Sequence, residues 1–299
     1  MRLPPFPLLP LPLLLLTTAC KPPPEAPREL DELAAYIYAH HADEDPAAEQ
    51  DALSKLTAWL EENWADAEDG YEIGALDEAT VDSLDDVDRA TEGMLGLAVP
   101  TASEHSVDEA AYAMLAVLES EVYPKMFVEY EREQIGDIDC FLAHDCDRVE
   151  ARENMKSDFG LVVSVSQAYN RYLWVDLEGG PAFVQQNWIE FPPDVTGTLA
   201  SYVEVDEQFY LNLFMPRADG FWRLQATWMI FTQDGVPQDV AMNMAVANMQ
   251  GNSETLDDYL ASLTLDEPEK GCANLPARPA RALAWLALMA GVLGMRRRR

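Results

Sequence analysis

Positive charge is scarce in this chain: 20 lysines and arginines face 53 aspartates and glutamates across 299 residues, a formal net charge of −33. Seven of the twenty (Arg2, Arg278, Arg281 and Arg296 to Arg299) lie outside residues 21–277, and every acid lies inside. That body therefore holds 13 bases against 53 acids, a net −40. Such a field opposes nucleic acid and anionic lipid surfaces as partners of the body and favours solubility through self-repulsion. General adaptation to a salty or cation-rich medium accounts for it without a specific basic partner. Histidine is nearly as rare, at positions 40, 41, 105 and 144. Familiar catalytic signatures are missing: there is no G-x-S-x-G, H-E-x-x-H, Walker loop or Rossmann fingerprint. A Ser-His-Asp site has no local support, and carboxylate pairs discriminate nothing among so many acids. Internal repeats are absent too.

The ends carry the sharpest signals. Met1–Ala19 opens with Arg2, runs through LPPFPLLPLPLLLL and closes on TTAC. That is a signal-peptide layout, and its prolines disfavour a lasting membrane helix. Thr18, Ala19 and Cys20 resemble the end of a bacterial lipoprotein signal, in which a small residue precedes the modified cysteine; Thr17 departs from the usual leucine. The resemblance implies cleavage before Cys20 and lipidation of Cys20. Lys21, which is not the aspartate of inner-membrane retention, implies an outer-membrane destination. An ordinary signal peptide with a fortuitous cysteine is the competing reading. Residues 20–28 then form a proline-rich tether.

At the other end, residues 266–281 are a linker, and Ala282–Met295 gives fourteen apolar residues before four arginines. As a helix that stretch spans roughly 21 Å, short of the ~30 Å hydrocarbon core. Arg278 and Arg281 could snorkel to extend it, and the terminal arginines orient the tail inside and the body outside. Gly271-Cys272, a spacer, an apolar stretch and an arginine cluster together resemble the myxobacterial MYXO-CTERM sorting tag. That resemblance implies recognition by a membrane protease, cleavage near Cys272 and transfer to the cell surface. A permanent single-span anchor is the competing reading of residues 282–299.

Between the ends, the period predicts an α+β protein. Residues 29–158 read as an acidic helical region: helices begin at Leu30, after Asp45-Pro46, over Glu78–Arg89, and at the Ser106/Glu109 capping box. Near Gly160 the period changes from helical to alternating. Leu173, Val175 and Leu177, then Ser201, Val203 and Val205, then Phe209 to Met215, then Trp222 to Ile230 each alternate with a second set. Turn signals separate them, which predicts a five- to six-stranded antiparallel meander. Two helices, about Asp239–Met249 and Thr255–Leu263, close residues 159–265. The two regions form either one composite domain or two.

Several constellations are candidates for chemistry. Cys140 and Cys146 are the only cysteines between residues 29 and 265, and an exported close pair reads as a disulfide contributing about 2–3 kcal/mol. Bridging would gather Asp137, Asp139, Asp145 and Asp147, whose hard oxygens suit Ca²⁺, although the spacing is no EF-hand and a solvated acidic loop is the simpler reading. Cys140, His144 and Cys146 as zinc ligands match no usual spacing. His40 and His41 point about 100° apart on a helix, so one faces the core and one water. Trp174, Trp188, Trp222 and Trp228 concentrate in the sheet, either as core or as the floor of a pocket for an apolar or sugar ligand. Met242, Met244 and Met249 divide similarly between core and adaptable surface.

These readings converge on a surface-anchored lipoprotein, exported to the outer membrane or cell surface. Its body would be a non-enzymatic binding or envelope-structural module without a cofactor other than the candidate Ca²⁺. Its expected partners are the membrane and the lipoprotein-processing and sorting machinery. An extracytoplasmic hydrolase with its site on the tryptophan-bearing sheet is the alternative.

Overall fold

The computed structural model describes residues 25–85, 87–158, 162–198, 200, 203–233 and 238–263. The segment expected to be a signal, residues 1–19, together with Cys20 and residues 264–299 with Gly271, Cys272 and the arginine cluster, lies outside the described residues. The described residues up to Ser262 belong to one compact unit.

That unit is α+β, as the alternation predicts, but the two regions are interleaved rather than consecutive. Strands β1 (Tyr71–Ile73) and β2 (Leu95–Ser103) pair antiparallel with each other, and β2 pairs with β9 (Gly220–Gln233) near the chain's other end. Between them lie β3 (Phe127–Ile135), β4 (Arg148–Asp158), β5 (Val163–Leu177), β6 (Gly180–Ile189), β7 (Asp194–Thr196) and β8 (Val203–Arg217). The sheet runs β1-β2-β9-β8-β6-β5-β4-β3, with β7 on β5. Residues 29–158 thus hold four strands besides helices, a correction to the helical reading. LGLAVP at the start of β2 is an unbroken apolar run, buried on both faces from Gly96 to Pro100, so no period marks it. In β3, FVEYEREQI alternates mainly among polar residues, so no apolar stripe marks it.

The remaining helices differ in extent from the expectation. α1 (Leu30–His40) and α2 (Ala47–Ala67) form as predicted, α2 kinking at Asn63, where the Asn63 amide donates to the Trp59 carbonyl at 2.9 Å. α3 stops early, spanning Glu78–Asp82. The capping box opens α4 (Val107–Leu115), after which α5 (Glu119–Val122) and α6 (Ile138–Leu142) are single turns. The two expected C-terminal helices are one, α7 (Gln238–Leu260), continuous through Gly251. The separate strands expected around Val203 and Phe209 are likewise one, β8, with a bulge between Val205 and Glu207.

The sheet lies between two helical layers. On one face α1 and α2 bury Leu33, Ile37, Tyr38, Leu53, Leu56 and Leu60 against Leu173, Val175, Val184, Leu211, Leu213 and Leu224. Trp188, Trp222 and Trp228 belong to this same core, at 2, 8 and 0 % exposure. They are packed rather than flooring an open pocket. The other face receives α4, α5 and α7. Ala26 of the tether is also held, its N–H donating to Asp51 and its carbonyl accepting from Lys55.

Candidate functional site

The face beneath α4, α5 and α7 differs chemically from the α1–α2 face. Strand register places its side chains in rows. One row runs Trp174–Phe183–Phe214–Arg223–Thr101; the next runs Tyr172–Gln185–Asn212–Gln225–Val99; a third runs Gln134–Ala151–Asn170–Asn187–Tyr210–Thr227–Leu97. The first row is aromatic at one end, with Phe183 and Phe214 ring centres 5.4 Å apart. The rest is largely polar, yet Asn170, Gln185, Asn212, Arg223 and Gln225 are all buried.

Burial of so many polar groups is tolerable only when they satisfy one another. Here a chain of bonds links four strands, β9, β8, β6 and β5. Arg223 Nε donates to Asn212 Oδ1 at 2.9 Å, Asn212 Nδ2 to Gln185 Oε1 at 3.2 Å, and Gln185 Nε2 to Asn170 Oδ1 at 2.9 Å. Asn187 Nδ2 also donates to Asn170 Oδ1, at 2.8 Å. Because both approaching groups are amide donors, that atom must be the oxygen, and the other Asn170 terminus, Nδ2, is left buried without a partner. Tyr210 donates to Gln225, whose amide donates to Ser253 Oγ and the Met249 carbonyl of α7. Thr101 reaches Ser253 at 2.9 Å, and Ser103 reaches Asp257 at 2.6 Å. α7 is thus fastened largely by polar contacts, beside a small apolar cluster of Leu97, Val99 and Met249. Met242 packs at the edge of that cluster, so it and Met249 are core methionines.

A charged group ends the polar rows at β3 and β4. Arg132 Nε donates to Glu153 at 3.0 Å, its Nη1 to the carbonyls of Leu115 and Val117, and its Nη2 to Tyr130 at 2.6 Å. Glu119 of α5 stands 3.5 Å from Arg132 Nη2, an ion-pair distance, but its Oε1 accepts no hydrogen bond. Burial, reinforced by the charge of Glu153, pushes the Glu119 carboxyl up to about 8; Arg132 and Arg223 counteract this incompletely. The same burial and the two glutamates hold the Tyr130 hydroxyl protonated far above its ordinary range, and Tyr172 is shifted likewise. Around neutral pH the face therefore carries a neutral Glu119 beside Arg132, Arg223 and Glu153. An open depression of about 550 Å³, lined by Ala116, Gln134, Gly136, Asp137, Ile138 and Asp139, adjoins this end.

The sequence-predicted residues behave unevenly. Cys140 and Cys146 are bridged, with Cα atoms 5.4 Å apart. The bridge takes both thiols out of the zinc reading, and His144 pairs with Asp108 at 2.8 Å instead. Asp137 caps α6, accepting from the Cys140 N–H at 3.0 Å. Among the described residues no three histidines, cysteines, aspartates or glutamates are grouped to hold a metal, so Asp137, Asp139, Asp145 and Asp147 form no such group. His41 is buried against Glu49 at 2.9 Å while His40 stays partly exposed beside Asp43. His105 meets Glu109 at 3.7 Å, so each imidazole faces a carboxylate.

The polar rows escaped the sequence reading for a definite reason. In Trp222–Ile230 the second phase of the alternation, Arg223, Gln225 and Thr227, reads as a solvated face. A second helical layer turns that phase inward. Four adjacent strands with amides at matching register positions were the available signal, but register is not written in any single strand.

What the geometry defines is an α+β domain with one antiparallel sheet between two helical layers. No protein-family model matches the chain, and no curated protein matches it. Solved structures of similar shape include the STAR-related lipid transfer protein (fragment 25–204) of Xanthomonas axonopodis, at 12 % identity and TM-score 0.39, covering 58 % of this chain and 97 % of that one. The human StarD13 lipid transfer and protein localization domain matches at 9 % identity and TM-score 0.34, covering 70 % and 97 %. A Rhizobium leguminosarum protein matches at 8 % identity and TM-score 0.35, covering 56 % and 95 %.

Proposed function

We propose that this chain is an exported, surface-anchored binding protein: lipidated at Cys20, sorted through the Gly271-Cys272 tail, and holding a small ligand on the sheet face beneath α4, α5 and α7. The observation that carries the binding reading is that this face is buried yet polar. Apolar packing would hold α7 at least as well, since buried ion pairs are often neutral or costly relative to hydrophobic replacements. A protonated Glu119, the arginines and the unpartnered Asn170 donor instead give it the convergent polar groups of a binding site. The ligand must bring a hydrogen-bond acceptor for Asn170 Nδ2. Lipid attachment and sorting rest on Thr18-Ala19-Cys20 and on the apolar, arginine-ended tail.

Mass spectrometry of protein recovered from cell membranes tests both halves. The expected denatured mass is that of a chain starting at lipid-modified Cys20 and ending near Cys272. An unmodified start, or retention of residues 282–299, overturns the anchoring half. Native spectra are expected to show an adduct that Asn170→Leu weakens; a bare polypeptide in the wild type overturns the binding half.

A further inference from the structure

The α1–α2 layer leaves part of its own sheet face open. There β4, β5 and β6 carry two full registered rows, Glu150–Arg171–Gln186 and Arg152–Tyr169–Trp188, with Asn154 opposite Gln167 in the next. Glu190 adjoins this third row, its N–H donating to the Gln167 carbonyl. The centre is a stack: the Tyr169 and Trp188 rings lie 4.9 Å apart at 28°. Arg152 sits 5.4 Å from the Tyr169 ring centre, and Arg171 4.9 Å from that of Trp188. Glutamates hold both arginines, Arg152 Nε lying 3.3 Å from Glu190 and Arg171 Nε 3.4 Å from Glu150. Tyr169 donates to Glu150 at 2.6 Å. The stack is therefore fixed by ring contacts, cation–π contacts and ion pairs together.

Three polar atoms in this small area are buried without a partner: Arg171 Nη1, Gln186 Oε1 and Glu190 Oε2. Gln186 is 1 % exposed beneath α1, its amide nitrogen donating to the Tyr38 carbonyl, whereas Arg171 and Glu190 keep 22 % and 17 % of their side chains exposed. The rim is open, the Arg152 and Glu150 side chains being 47 % and 38 % exposed. One unmet donor on Arg171 and one unmet acceptor on Glu190 call for groups that donate and accept at once, which is the chemistry of hydroxyls. The charge agrees. Two arginines offset two glutamates within the patch, while the −40 body repels anions.

We propose that this patch on β4, β5 and β6, centred on Tyr169, is a binding site for a neutral carbohydrate, whose hydroxyls would meet the partly exposed Arg152, Arg171 and Glu190. The site is separate from the face beneath α7, and its fate does not depend on that face binding anything.

The test titrates the full-length protein, in a non-glycosidic detergent, with maltohexaose, cellohexaose and N-acetylchitohexaose, with dextran sulfate as a polyanion control. Binding is read by tryptophan fluorescence and by calorimetry. Saturable binding of at least one neutral oligosaccharide is expected, with none of the polyanion. Arg152→Ala and Tyr169→Ala should each weaken it by at least about tenfold, a typical loss for a central contact. Arg152 is exposed enough to be removed without a core defect, so a folding failure of Tyr169→Ala would leave the test intact. No saturable binding of any of the three, or binding that Arg152→Ala leaves unchanged, overturns the proposal.

Discussion

Replacing Glu119 by glutamine should flatten the pH dependence of stability over one defined window. A carboxyl raised to about 8 by burial and by Glu153 binds its proton in the folded state at pH values where the unfolded chain, near 4.5, has released it. Protonation excess in the folded state makes stability fall as pH rises. The loss therefore starts near pH 4.5, grows steadily, and is complete above about pH 8. Three and a half units at 1.36 kcal/mol each set a ceiling of about 5 kcal/mol. Local rearrangement around Arg132 and water entry reduce this, so a loss on the order of 2–4 kcal/mol is expected. In a domain of this size that lowers Tm by roughly 5–15 °C between pH 5 and pH 9. Glu119→Gln keeps the size and a neutral head but has no proton to lose. Thermal melts of both proteins at whole pH steps from 5 to 9 make the measurement, and their difference cancels the titrating groups that do not interact with Glu119. The two curves should diverge as pH rises, the variant being the more stable at pH 9. Curves that stay parallel within about 2 °C would refute the assignment of a buried, proton-linked Glu119.

Two further outcomes probe other parts of the fold. Cys140→Ser with Cys146→Ser should cost about 2–3 kcal/mol, read as a lower urea midpoint at unchanged slope, because the bridge closes only a short loop. Trp228→Ala should cost about 3–5 kcal/mol in the same assay. Its ring is fully buried between α1 and the sheet, 5.3 Å from Tyr38, and its Nε1 donates to the Gly74 carbonyl at 2.7 Å.

Much of the secondary structure was legible before any coordinates. α1 and α2, the capping box at Ser106 and the hairpins after Leu177 and Arg217 follow from period and turn chemistry, which act over a few neighbouring residues. The Gly220 turn is an example: its φ of +143° and its close approach to the Ser103 backbone both need a residue without Cβ. What misled the reading was partnership. β2 and β3 looked unlike strands because one is covered on both faces and the other is mostly polar, and neither property is local. The disulfide was legible from count and spacing, because the two cysteines lie six residues apart.

The sequence by itself determined the −40 charge of residues 21–277, the α+β class and the pairing of Cys140 with Cys146, because composition and short-range period suffice for each. Only the tertiary structure decided which phase of each strand meets which helical layer. It placed Glu119, Arg132 and Glu153, separated in sequence, in one buried group, and aligned Arg152, Tyr169 and Trp188 from three strands into one row. Strand register sets those meetings, and register is a property of the assembled sheet rather than of any segment in it.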